Sequence, residues 1–390
     1  MVSAAPATVN TRSPACVGGR GEAAGALFSP FRCGALTLRN RIVMAPMTRW
    51  HSPDGVPGDD VAAYYARRAR GGAGLILTEG ANIDHPGAAG YDDVPNLFGA
   101  DAVRGWRAVV DTVHAAGAAI MPQLWHVGAF RRAGVGPVRD APGFGPARRV
   151  ENGRTVVRRL DQAGMEAIVA SYARAARTAA EAGFDGVEIH GAHGYLLDQF
   201  FWLGSNRRRD AHGGSIEKRA GFAAAVVAGI RRAIPRDMPL IFRFSQWKMH
   251  DYDARIARTP DELARLLTPL RAAGVDIFHA STRRFRDPAF AGSPRSLARW
   301  TRDLTGLPVI AVGSVGLDTA HRSRALGGHE AAQAEVADIG AVRDGFAAGD
   351  FDLVAVGRAM LADPEWANKI RDGREAEIAP LRPHHLKTLT

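Results

Sequence analysis

Short apolar runs alternate along this chain with stretches whose apolar residues recur every three or four positions. The runs RIVMAPM (41–47), GLILTE (74–79), AIMPQLW (119–125), GVEIH (186–190), LIFRFS (240–245), DIFHAS (276–281), PVIAVG (308–313) and LVAVG (353–357) predict strands. The stretches near 59–70, 101–116, 165–182, 217–234, 260–273, 294–305, 336–348 and 364–371 predict helices between and after them. Thr259-Pro260-Asp261-Glu262 opens one helix with a cap, a proline and two acids. Gly117, Gly183, Gly274 and Gly306 close others, each just before the next strand. Repeated strand–helix alternation is the α/β signature, and eight such units predict a single (β/α)8 TIM barrel. The alternative, a doubly wound open sheet, lacks a G-x-G-x-x-G after the first strand.

Two segments interrupt the rhythm. Residues 127–162, after the third strand, are rich in Gly, Pro and Arg and read as a long loop overhanging the active face as a lid. Residues 314–335, after the seventh strand, form an insertion with an Ala/Glu/Gln-rich helical piece. Residues 1–26 lack an apolar signal core and read as a disordered tail, or as chain ahead of the true start, which leaves 27–390 as the barrel domain.

With 390 residues, 46% of them hydrophobic, the chain can bury one large core. No run of 18 apolar residues is present, so no transmembrane helix and no membrane partner are expected. The two cysteines, Cys16 and Cys33, form no metal or iron–sulfur spacing, and no disulfide framework is expected, which fits a reducing cytoplasm. The net charge of +10 comes mainly from scattered arginine clusters. They are not interleaved with aromatics, so no nucleic-acid partner is expected; attraction for an anionic cofactor is the simpler reading. Oligomeric state is not legible in the sequence.

In a barrel the C-terminal ends of the strands converge on one mouth. The fourth run continues as HGAHGY, which brings His190, His193 and Tyr195 to one strand end. Two imidazoles three apart can point at one substrate oxygen, and a tyrosine two further on can supply a proton. A structural role remains the alternative, and a metal lacks an obvious third ligand, so none is expected. The third strand carries Gln123, Trp125 and His126, and the first ends in Pro46-Met47-Thr48. Arg243 lies between Phe242 and Phe244, so alternation puts the phenylalanines on one side and the arginine on the other. It needs an anionic or strongly accepting partner, or else sits in an internal salt bridge. Gly313-Ser314 and Gly357-Arg358 end the last two strands, the usual phosphate site of barrel enzymes. The ADPEW that follows reads as the start of a short helix with its N-terminus toward an anion. A planar, electron-accepting ligand with a phosphate tail fits such a mouth, and FMN is one.

With these residues in place, the sequence resembles the Old Yellow Enzyme family of flavin-dependent ene-reductases from about Leu27 to Ile370. The resemblance rests on LFSPFRCGALTLRNRIVMAPMTR, YYARRA, GLILTEG, PQLWHVG, FDGVEIHGAHGYLLDQF, IFRFS, IAVGSVG and AVGRAMLADPEW. It implies that Pro46, Met47 and Gly80 line the flavin ring of FMN, that Thr48 bonds the carbonyl near N5, and that Gln123 and Arg243 hold the pyrimidine edge. It implies that Gly313, Ser314, Gly357 and Arg358 hold the phosphate. His190 and His193, with Trp125 beside them, would hold a substrate carbonyl, and Tyr195 would protonate the α-carbon. His193 stands where many relatives have Asn; both can donate a hydrogen bond.

The implied reaction is two-stage: NADH or NADPH reduces FMN, and the flavin then reduces an activated alkene such as an α,β-unsaturated carbonyl. Larger relatives with an iron–sulfur domain need a cysteine cluster this chain lacks, so electrons are expected directly from the nicotinamide. FRFSQWKMHDYDARIA and HASTRRFRDPAF depart from the better-known members. Arg283 and Arg284 in the latter would recognise an anionic group on the nicotinamide or the substrate, or form a solvated basic loop. The rival functions are a flavin-free barrel isomerase or aldolase acting on a sugar phosphate, and a non-catalytic flavin-binding module.

Overall fold

The computed structural model describes residues 16–17, 26–320 and 333–390. Eight parallel strands close into a barrel: Ile42–Met44, Leu75–Asn82, Ala119–Trp125, Val187–His193, Leu240–Lys248, Ile277–Ser281, Val309–Val312 and Leu353–Val356. Each pairs with the next in sequence, and the eighth closes on the first through Val354 opposite Ile42. These strands are buried almost throughout, as a parallel sheet covered on both faces requires. Alternation splits their side chains into two cores. Val43, Leu75, Leu77, Met121, Ile241, Ile277, Ile310 and Leu353 fill the barrel interior. Ile42, Ile76, Ile120, Ile189, Phe242, Phe244 and Phe278 face the helices outside. The hairpin Phe31–Cys33 and Leu36–Leu38 plugs the N-terminal end, its Phe31, Leu36 and Leu38 joining the interior core.

The expected helices form at 59–70, 100–115, 162–181, 216–233, 260–273, 297–305, 340–347 and 366–371. The Thr259 hydroxyl accepts from the Glu262 amide at 3.2 Å, and Gly274 ends that helix in the left-handed conformation that glycine tolerates best.

The structure corrects five expectations. The fourth and fifth strands run on to His193 and Lys248, because backbone pairing continues past Gly191 through an irregularity in register that sets His193 opposite Lys248. The long loop after the third strand carries its own small sheet, Gly143–Gly145, Arg149–Glu151 and Arg154–Arg159, since main-chain pairing needs no apolar alternation. ADPEW opens the short helix Trp366–Arg371 as expected, with Trp366 1% exposed beside Gly316. A further short helix that was not expected, Arg358–Ala362, begins directly after Gly357. The tail span is entered by structure at Cys16–Val17, which pairs antiparallel with the edge of the plug hairpin. That pairing sets Cys16 opposite Cys33, and the two form a disulfide that was not expected. The other positions of the tail up to residue 25 lie outside the described residues, as do residues 321–332 of the insertion 314–335 that was expected to hold a helical piece. No described helix is long and apolar enough to cross a membrane.

The second strand contains a bulge between Leu77 and Gly80, and within it stands a buried carboxylate, Glu79. Its Oε2 accepts from the Arg49 amide at 2.8 Å, whereas Oε1 is buried without a partner. Burial pushes its pKa from 4.5 up to about 7, with the Arg49 amide and charge opposing. An acid raised in the fold is stabilising when neutral. Its contribution is therefore complete below the unfolded pKa and is lost as pH rises toward 7. Glu79→Gln is predicted to flatten the fall in denaturation free energy between pH 4.5 and 7.5, by up to roughly 3 kcal/mol. Parallel urea-melt profiles for parent and variant would mean that Glu79 titrates alike folded and unfolded.

Candidate active site

The barrel interior changes character toward its C-terminal end. Two residues beyond Met121, Ile241 and Ile277 on their strands come Gln123, Arg243 and His279, pointing into the same space. Glu188 completes this polar layer from the fourth strand, where it pairs with Gln123. Gln123 Nε2 donates to Glu188 Oε1 at 2.7 Å, and His279 Nδ1 lies 2.6 Å from Oε2. The carboxylate is fully buried with both oxygens engaged. Arg243 is 7% exposed. It takes part in none of the ion pairs found among the described residues, although the Glu188 charge favours its protonated form. Its Nη2 reaches Ser281 Oγ at 3.3 Å, and its Nε is buried without a partner. The internal salt bridge considered for it is therefore not formed.

Above this floor stand the residues of HGAHGY. The His190 ring lies 5.1 Å from that of His193 and 4.9 Å from that of Tyr195, nearly perpendicular to both. Trp125 joins them, stacked on His190 and edge-on to Tyr195. His190 Nδ1 accepts from the Ala192 amide at 3.3 Å, which puts the proton of the neutral ring on Nε2. His193 Nε2 is 2.8 Å from Ser281 Oγ. Burial, seconded by the Arg243 charge, holds both histidines well below their usual pKa. Both are thus neutral imidazoles with one N–H each. Burial drives the Tyr195 phenol the other way, so it keeps its proton. Its hydroxyl lies 3.4 Å from Met249 Sδ.

The turn that carries these groups is strained and held from several sides. His193 has φ +63°, unusual for a side chain other than glycine, and Gly194 follows at +88°. The His193 amide donates to Ser245 Oγ at 2.9 Å, and the Gly194 amide to Asp198 Oδ2 at 2.5 Å. Asp198 is paired with Lys248 at 2.8 Å, both wholly buried. The Met249 amide donates to the His193 carbonyl, and Trp247 stacks on the His193 ring at 4.4 Å. The extension of the fifth strand, Gln246 to Met249, is thus the outer brace of the histidine turn.

The remaining predicted residues ring the same mouth. Pro46, Met47 and Thr48 are half-buried at the end of the first strand. Met47 Sδ lies 3.4 Å from where a Cβ on Gly357 would stand, so the first and eighth strand ends meet. Gly80 is buried beside Gln123, with Trp125 so close that a Cβ would sit 2.5 Å from its ring. Gly313 and Ser314 both have positive φ. Arg358 lies beside them, its Nη2 donating to the Thr319 carbonyl at 2.6 Å. Arg283 joins this end of the mouth, since its carbonyl accepts from the Ser314 hydroxyl at 2.9 Å.

Sequence reasoning missed Glu188, His279, Ser281 and the Asp198–Lys248 pair. Alternation counted back from His190 could have found Glu188, and the register that sets the sixth strand beside the fifth puts His279 opposite Arg243. The pair could not be found, because a lysine past a strand end reads as solvated. Among the described residues no three His, Cys, Asp or Glu side chains are grouped to hold a metal.

Comparison with known proteins bears on this mouth directly. A model of the NADH:flavin oxidoreductase / NADH oxidase family matches residues 26–377. An NADH oxidase of Thermoanaerobacter brockii is 34% identical over 363 residues, 90% of this chain and 52% of that protein. A putative 12-oxophytodienoate reductase 2 of Oryza sativa subsp. japonica is 41% identical over 209 residues, 52% of this chain and 55% of that protein. The chain thus spans about half the length of these curated relatives. Among solved structures, a morphinone reductase in complex with tetrahydroNAD superposes with a TM-score of 0.75 at 29% identity, covering 92% of this chain and 93% of that one.

The Lys248–Asp198 pair yields a direct test of the brace. Lys248→Met strands a buried carboxylate and should cost about 3–5 kcal/mol in chemical denaturation. Lys248→Met with Asp198→Asn removes both charges, keeps an acceptor for the Gly194 amide, and should recover most of that loss. A single variant as stable as the parent would show that the pair contributes nothing to the fold.

Proposed function

Because the chain belongs to the NADH:flavin oxidoreductase / NADH oxidase family, we propose that it is an FMN-dependent ene-reductase. In this reading it takes reducing equivalents from NADH or NADPH and reduces the C=C bond of α,β-unsaturated carbonyls and related activated alkenes. The observation that carries the reading is the group of three neutral proton-bearing rings, His190, His193 and Tyr195, standing over a floor that contains an arginine with a spare buried donor among the described residues. The tetrahydroNAD complex of the morphinone reductase neighbour supports a nicotinamide as reductant.

The residues fit FMN. Among the described residues Arg243 Nε and Arg358 Nη1 are buried donors without partners, as expected where an acceptor-rich ligand completes a site. Gly80 and Gly313 stand where a Cβ would collide with Trp125 and Thr282, at 2.5 Å and 2.6 Å, so both strand ends reach the mouth without a side chain. Pro46, Met47, Thr48 and Gly80 would line the ring, and Gln123 and Arg243 would meet its pyrimidine edge. Gly313, Ser314, Gly357 and Arg358 would hold the phosphate. When bound, FMN would supply the redox chemistry, accepting a hydride from the nicotinamide and passing one to the alkene.

The chain's own contribution is positioning and proton supply. His190 and His193 donate their single N–H groups to the substrate oxygen, drawing electron density from the β-carbon. Being neutral, they polarise without adding a full charge beside Arg243. Trp125 walls the substrate on the side of His190 and Tyr195. Tyr195, kept protonated by burial, gives its proton to the α-carbon. A cytoplasmic setting is part of the proposal and rests on the need for a supply of reduced nicotinamide.

Tyr195→Phe separates the two halves of this reaction. Flavin reduction by NAD(P)H draws no proton from Tyr195, so its rate should hold within a few-fold. Reoxidation by an enone should slow by roughly 10²–10⁴ in stopped-flow absorbance, the range for a positioned general acid. Equal slowing of both half-reactions would contradict the acid role.

A further inference from the structure

Two arginines from different strand ends come close in this structure, and neither forms an ion pair among the described residues. Arg358 follows the eighth strand and Arg283 follows the sixth. The segment 282–285 lies directly on the Gly313–Ser314 turn. The Thr282 amide donates to the Val312 carbonyl at 3.0 Å, and the Phe285 amide to the Gly313 carbonyl at 3.1 Å. A Cβ on Gly313 would stand 2.6 Å from the Thr282 carbonyl oxygen. The backbone of Arg283 is thereby fixed at the phosphate end of the mouth, while the Tyr252 ring lies 5.7 Å from Trp247, which stacks on His193.

Its guanidinium rests over the Tyr252 ring, 3.6 Å from the centroid. This is cation–π seating, which orients the group without consuming its N–H donors. Among the described residues Arg283 Nη1 is buried with no hydrogen-bond partner, and so is Arg358 Nη1. Neither arginine joins an ion pair among the described residues. The Arg358 pKa is lowered to about 10, first by burial and also by the Arg283 charge, with Asp318 opposing. Two cations that each keep a buried donor to spare repel each other, and a dianion between them relieves the repulsion and takes both donors. Tyr252 and Arg283 both lie in segments that depart from the familiar family pattern.

We propose that Arg283 is a second phosphate-binding arginine, which brackets the phosphate monoester of FMN opposite Arg358 from its seat on Tyr252. The proposal rests on the FMN reading above, and it replaces the expectation that Arg283 meets an anionic group of the nicotinamide or the substrate. Arg284, the next residue, makes no such approach and serves as the control.

The test strips flavin from the full chain and titrates it with FMN and with riboflavin, which lacks the phosphate. The parent should prefer FMN strongly. Arg283→Ala and Arg283→Gln should shrink that preference by roughly 10–100-fold, with riboflavin affinity unchanged. Arg283→Gln retains more of the side chain's bulk, so a fold defect in the alanine variant would not spoil the comparison. Arg284→Ala should keep the parental ratio. An unchanged ratio in both Arg283 variants overturns the assignment. So does a raised KM for NADPH over NADH with FMN preference intact, which would give Arg283 to the nicotinamide's 2′-phosphate. A parent that binds neither flavin overturns the functional reading itself, and this assignment with it.

Discussion

Glu188 carries its carboxylate inside the barrel, where a charge persists only if its oxygens are bonded and a cation stands near. Gln123 and His279 take one oxygen each, and Arg243 supplies the charge from the next strand. These groups come from the third, fourth, fifth and sixth strands, so the network ties half the barrel together at the level where the apolar core ends. The amide of Gln123 is turned by Glu188, and His279 is fixed with its Nδ1 toward the carboxylate. Arg243 is left with donors to spare, facing the mouth. The mouth can therefore receive electron-rich ligand edges without reorganising, because its polar groups are already aimed.

The histidine turn is built on top of this layer and needs a separate support. A residue with φ +63° followed by a glycine at +88° persists only where surrounding bonds determine it. Ser245, Asp198 and Met249 provide them, and Lys248 fixes Asp198 from the strand extension. QWKM, at the end of the fifth strand and in one of the two segments that depart from the better-known members, is thus the part that braces the HGAHGY motif. Trp247 also closes one face of His193.

Much of this was legible beforehand, for definite reasons. Buried parallel strands leave continuous apolar runs, and caps and glycines punctuate them, so the barrel and its helices could be placed within a few residues. Arg243 between two phenylalanines announced its inward direction. What escaped were features carried by backbone pairing or buried charge. The small sheet within 127–162 has no apolar period, and Gly191 reads as a strand end although pairing continues past it. Lys248 reads as solvated and is wholly buried. Cys16 was assigned to a tail, yet its backbone completes the edge of the plug hairpin.

The central claim is that this mouth binds FMN and cycles it between a nicotinamide and an activated alkene. The most direct measurement is the visible absorbance of the purified protein under anaerobic titration. The account predicts an oxidised-flavin spectrum that bleaches with stoichiometric NADPH or NADH and returns when cyclohexenone is added. A colourless protein that FMN cannot reconstitute, or a reduced flavin that oxygen reoxidises but no enone does, would contradict it.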